Sequence, residues 1–119
     1  MVRQMNKELS NLAREIEAAF ELSENLTERA RNALKETLRT PPTVSDFHST
    51  DRVLKMVQEC LPGWAIHIKG TATSPNGHWH CSLRKSEIRD NDSYVGIGQG
   101  PTLPHAVLAA VIGALAQSQ

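Results

Sequence analysis

The chain has 119 residues, 39% apolar and only 4% aromatic, and its 13 Lys and Arg balance its 13 Asp and Glu. That length suits a single domain with a modest core, and zero net charge excludes a long-range field that would gather nucleic acid or anionic lipid. The most apolar run, Ala106 to Ala116, falls well short of the roughly 18 residues a membrane span needs.

The chain opens with amphipathic, increasingly acidic sequence rather than the apolar core of a secretory signal. Two cysteines, Cys60 and Cys81, in a chain without such a signal are expected as reduced thiols. The expected location is the cytoplasm of a host cell, with no membrane contact.

From Met1 to Thr40 there is neither Gly nor Pro, and good helix formers dominate. Met5, Leu9, Leu12, Ile16 and Ala19 recur at spacings of four and three, the heptad stripe of a helix seeking a partner. Leu26, Ala30 and Ala33 continue it, with Leu34 and Leu38 alongside. Thr27 before Glu28 reads as an N-cap, and Asn25 suits the left-handed end of a preceding helix. Two helices are favoured over one long one, and Met5, Leu9, Leu12 and Ile16 are the candidate dimerisation residues.

Thr40-Pro41-Pro42-Thr43 stops the helix, because a residue before proline is driven out of the helical region. This sets a boundary between an N-terminal helical segment, residues 1–40, and a domain over residues 45–119. Ser49 or Thr50 then caps a helix with Asp51 near its positive end, lined by Val53, Leu54, Val57 and Leu61 and ended by Pro62-Gly63.

The apolar period next changes to two. Trp64, Ile66 and Ile68 point one way and His67 and Lys69 the other; Trp79, Cys81 and Leu83 share one face, with His78, His80 and Ser82 opposite. Ser74-Pro75-Asn76-Gly77 supplies the turn. Pairing Ile68 with Trp79, Ile66 with Cys81 and Trp64 with Leu83 gathers the apolar residues on one face. It leaves His67 opposite His80 and Lys69 opposite His78 on the other.

A polar loop from Lys85 to Asp92 leads to a short strand at Ser93-Tyr94-Val95-Gly96-Ile97, closed by Gly98, Gly100 and Pro101. Thr102 caps a last helix with Pro104 in its first turn and a buried stripe of Leu103, Val107, Ala110, Val111, Ala114 and Leu115. Its many alanines permit close approach to a sheet. The expected fold is α+β: an αβββα domain whose three-stranded antiparallel sheet is covered by two helices on one face, preceded by a helical hairpin or long helix.

From His48 onward the sequence resembles the phage ABA sandwich domain, a family of small phage and prophage proteins. The resemblance rests on Ser49-Thr50-Asp51 opening a helix, Pro62-Gly63-Trp64 entering a strand, Trp79 in the second strand, and Thr102-Leu103-Pro104-His105-Ala106 opening an Ala-rich helix. It covers roughly the last 70 residues; Leu103 stands where members often carry a second proline or a small residue. It implies the αβββα layout and a phage or prophage source, and no catalytic residue or cofactor.

The residues themselves offer little chemistry. His67, His78 and His80 on one sheet face could hold a transition metal, but Cys81 points the other way and no fourth ligand follows. Cys60 and Cys81 on apolar faces are expected to be inert. His48, Ser49 and Asp51 are explained by capping rather than a catalytic triad. Gly96-x-Gly98-x-Gly100-Pro101 lacks the dinucleotide spacing, and its proline removes an amide a phosphate would need.

The αβββα order is also that of the double-stranded-RNA-binding domain, but the last helix has no Lys or Arg and the sheet lacks stacking aromatics. The reading is therefore a non-enzymatic, cofactor-free protein-binding module that engages a host or phage protein, an anti-defence inhibitor such as an anti-CRISPR protein being one case. It is expected to form a homodimer. Its candidate contact residues are His67, Lys69, His78, His80 and Arg84, and nucleic-acid binding is the alternative.

Overall fold

The computed structural model describes residues 2–35, 37–38, 40, 42–71, 78–85 and 95–118, with backbone alone for 2–6, 95 and 118. The elements in chain order are α1 (Val2–Ala18), α2 (Glu24–Leu34), a 3-10 turn (Val44–His48), α3 (Thr50–Cys60), β1 (Ala65–Thr71), β2 (His78–Arg84), β3 (Val95–Gly100) and α4 (Leu103–Ser118). This is an α+β fold with helices packed on a three-stranded antiparallel sheet of order β1-β2-β3.

The N-terminal segment is two helices, but their boundary differs from the sequence expectation. Ser23 caps α2, its Oγ accepting from the Leu26 N–H at 3.2 Å. Thr27 is buried one turn further in, its hydroxyl donating to the Glu24 carbonyl at 3.0 Å. Asn25 lies in the first turn of α2 and is not left-handed. A serine with an acidic residue directly after it competes with threonine for the same capping role, and here the earlier position prevails.

Ser49 caps α3, accepting from the Arg52 N–H at 3.4 Å, and Asp51 sits in the first turn. The helix ends at Leu61, after which Gly63 takes φ +84°, a conformation that costs glycine little. The 3-10 turn before α3 is not apparent from periodicity. Asp46 fixes its start by accepting from the Thr43 N–H at 2.9 Å, and Phe47 is wholly buried beneath it.

Strand faces agree with the alternation, but the register of β1 on β2 is displaced by two residues. Ile66 pairs with Leu83, Ile68 with Cys81 and Gly70 with Trp79, while Trp64 precedes the strand. A two-residue shift preserves which side chains share a face, whereas a one-residue shift would not. The cause is steric. A Cβ on Gly70 would lie 2.2 Å from the Trp79 ring, so the indole rests on the bare backbone of glycine. The turn at residues 74–77, the loop at 86–92 and Ser93-Tyr94 lie outside the described residues.

α4 is buried almost all round, well beyond the expected stripe, and Leu103 is only half-buried. One side lies on β3 and β2, another meets α3, and α1 covers a third. Thr102 caps it, accepting from the His105 N–H at 3.4 Å. Leu9, Leu12 and Ile16 of α1 are buried in the same apolar core as Leu83, Val107 and Ile112. The proline-containing boundary thus separates segments of chain but not cores. The heptad stripe assigned to dimerisation is consumed within one chain; the Met5 side chain lies outside the described residues.

His105 locks this arrangement. It is 2% exposed, and its Nε2 bonds the Ile16 carbonyl near the end of α1. A carbonyl only accepts, so Nε2 carries the proton. The bond reaches a carbonyl in the last turn of α1, which otherwise accepts only from the Ala19 N–H at 3.3 Å among the described residues.

Candidate functional site

The sheet face turned away from α4 is built by simple alternation. β1 gives it His67, Lys69 and Thr71; β2 gives His78, His80, Ser82 and Arg84; β3 gives Ile97 and Gln99. The register sets His67, Ser82 and Ile97 in one row and Lys69, His80 and Gln99 in the next. Thr71 lies opposite His78, and Ala65 opposite Arg84. The structure therefore brings His67, Lys69, His78, His80 and Arg84 onto one face. The individual pairs change with the register: His67 faces Ser82 rather than His80, and Lys69 faces His80 rather than His78.

His67, Lys69, His78 and His80 are exposed, and Arg84 is half-buried. The His78 and His80 rings meet edge to face with centroids 4.8 Å apart. None of the three strands contains an Asp or Glu. Glu17, near the end of α1, is pushed up from its ordinary value by burial, while the charge of His80 draws it back down. Within the strands, charge is thus of one sign: Lys69 and Arg84 share the face with three imidazoles.

Ile97 stands 61% exposed on this face, on the border strand β3 opposite Ser82. Sequence reading passed over it because Gly96, Gly98 and Gly100 drew attention to the other side of β3. The signal was available in the alternation itself, since glycines at even positions leave Ile97 and Gln99 facing outward.

Other candidate chemistry is absorbed by structure. Cys81 is fully buried on the face opposite the histidines, and burial pushes its thiol up to about 11. Cys60 is pushed up to about 12, mainly by burial and further by the Glu59 charge. Both thiols are poor nucleophiles near neutrality. Ser49 is engaged as a cap. The glycine run is no phosphate cradle, because its inward face abuts α4: a Cβ on Gly98 would lie 2.3 Å from the Ala106 carbonyl oxygen.

A groove of about 610 Å³ runs between α1 and α2, with Leu9, Leu12, Ala33 and Leu115 among its lining residues. Arg29 joins the two helices there, donating to both Glu15 carboxylate oxygens at 2.8 and 2.6 Å. This bidentate pair makes the groove a seam between helices. The open sheet face is the stronger candidate site.

Comparison with family models, with curated proteins and with solved structures finds no match to this chain. The likeness to the phage ABA sandwich domain accordingly rests on the residues quoted for it above.

Proposed function

We propose that the protein is a protein-binding module whose open sheet face docks an acidic surface of its partner. The observation that carries this reading is the uncovered face of His67, Lys69, His78, His80 and Arg84, with the exposed Ile97 at its β3 border, in strands without any acidic residue. An apolar residue at the margin of a basic face supplies both an anchor and electrostatic selection. With the resemblance, this describes a phage or prophage accessory protein acting on a host or phage protein, an inhibitory role being the form that fits an enzyme-free chain. A contact between two copies would use surfaces other than Leu9, Leu12 and Ile16 of α1, which are buried.

Site-specific photo-crosslinking tests the proposal. A photoreactive residue at position 80 or 97 is expected to capture a protein, one at exposed position 11 or 55 is not, and Lys69→Glu with Arg84→Glu abolishes capture. Equal capture from the helical positions, or an adduct removed by nuclease, would overturn it; the latter outcome would install nucleic-acid binding instead.

A further inference from the structure

The two borders of the sheet are covered unequally. β3 is held by α4 across its inner face and is touched by α1, whereas β1 is an edge strand whose principal neighbour is β2. Among the described residues nothing pairs with the outer border of β1, a seven-residue strand exposed over nearly its whole length. Such a border presents a row of backbone donors and acceptors with no ladder partner, roughly 23 Å long at about 3.3 Å per residue. Its side chains alternate in a definite way. Ile66 and Ile68, 36% and 41% exposed, line the side facing the helices, while His67 and Lys69 line the open face.

We infer that β1 is a docking edge for an extended segment of the partner in which apolar and acidic residues alternate. The inference rests on the protein-binding reading and specifies its mode. The added strand completes the ladder on β1, sets its apolar side chains over Ile66 and Ile68, and sets its carboxylates beside His67 and Lys69. Pairing gives affinity without sequence preference; the alternation supplies selectivity.

Charge decides between this occupant and a second copy of the chain. Antiparallel self-pairing centred on Ile68 sets Lys69 opposite His67 of the other copy, centred on His67 sets it opposite Ala65, and centred on Ile66 sets it opposite Gly63. β1 has no Asp or Glu, so no such pairing gives Lys69 a counter-charge. An acidic strand supplies that counter-charge, beside His80 and Arg84 on the same face.

Fluorescence anisotropy on the full chain tests this with a labelled heptapeptide of alternating Val and Glu, carried to millimolar concentration. The Val-Glu peptide is expected to bind at least ten-fold more tightly than its Val-Lys counterpart, and Lys69→Glu, at an exposed position, is expected to remove that preference. Amides of the Val and the Glu residues point to opposite borders of an extended peptide. N-methylation of one set should therefore abolish binding and N-methylation of the other should leave it. The same response to both methylations, no binding of the Val-Glu peptide, or tighter binding of a single-stranded RNA decamer would overturn the inference. If a partner is captured at positions 80 and 97 while both methylated peptides behave alike, edge pairing falls and protein binding stands. If neither partner nor peptide is held, both fall.

Discussion

β1 and β3 border the same sheet, and the more apolar of the two is the less covered. Facing the helices, β1 carries Ile66 and Ile68, each more than a third exposed, whereas β3 carries only Gly96, Gly98 and Gly100, all buried. The reason is distance rather than hydrophobicity. Without side chains on β3, the backbone of α4 descends onto the strand until a Cβ would have no room, and that contact draws the helix toward β3 and away from β1. Small residues here decide where a helix sits, and the position of the helix decides which large residues stay wet.

The sharpest way to break this asymmetry is Gly98→Val. The new side chain meets Ala106 and Ala110 backbone atoms at 2.3 and 2.5 Å, which cannot rotate aside, so α4 must lift. A loss of about 3 kcal/mol or more is expected in urea unfolding. Gly113→Ala is the contrast. The nearest atoms to its Cβ lie at 3.8 and 3.9 Å, ordinary contact, so a stabilisation of up to about 1 kcal/mol is expected from helix propensity. Equal losses from both would show that glycine placement does not govern the packing.

The helical side of the molecule is next probed at His105. His105→Leu fills similar space but leaves the Ile16 carbonyl with only the 3.3 Å bond from the Ala19 N–H, at an expected cost of about 0.5 to 1.5 kcal/mol. Because the bond joins α4 to α1, hydrogen exchange should accelerate most in the last turns of α1. Uniform acceleration across the chain would contradict a local latch.

Much of this architecture could be read from the residues, for identifiable reasons. Strand faces follow from a period of two, and caps such as Ser49 and Thr102 from hydroxyls placed just before helical sequence. The register of β1 on β2 could not be obtained from parity alone, since parity is satisfied equally by shifts of two; only the fit of Trp79 onto Gly70 separates them. The merging of α1 into the main core was hidden because a heptad stripe records that a helix is covered, not by what. The outer-face residues were assembled correctly as a set, and Ile97 was missed for want of a strand position on the other side of its glycines.

The enclosed cysteines sharpen the contrast between covered and open faces. Both thiols are raised by burial, Cys60 to about 12 and Cys81 to about 11, from an ordinary 9.0. A raised value means the neutral thiol suits the folded state. Their contribution to stability is full below about pH 9 and is lost as pH climbs through the folded values. Iodoacetamide at pH 8 should therefore label neither cysteine in the folded protein and both in urea. Rapid labelling of Cys81 in the native state would show that the helix-facing side of β2 is open.

The smallest effect is expected where hydrophobicity alone would forecast a large one. Ile66 and Leu83 are cross-strand partners on the same face, yet Leu83 is wholly buried and Ile66 is 36% exposed. Leu83→Thr should cost about 3 kcal/mol, through lost burial, a cavity and a hydroxyl in an apolar site. Ile66→Thr and Ile68→Thr should each cost under about 1 kcal/mol, because much of each side chain already meets water and threonine keeps the β-branched shape a strand favours. If both isoleucine variants prove nearly as stable as the parent while binding of the Val-Glu peptide is lost, these residues act chiefly through what they offer an incoming strand. If instead they unfold the chain as Leu83→Thr does, β1 is part of the core after all, and its edge has no apolar surface to offer.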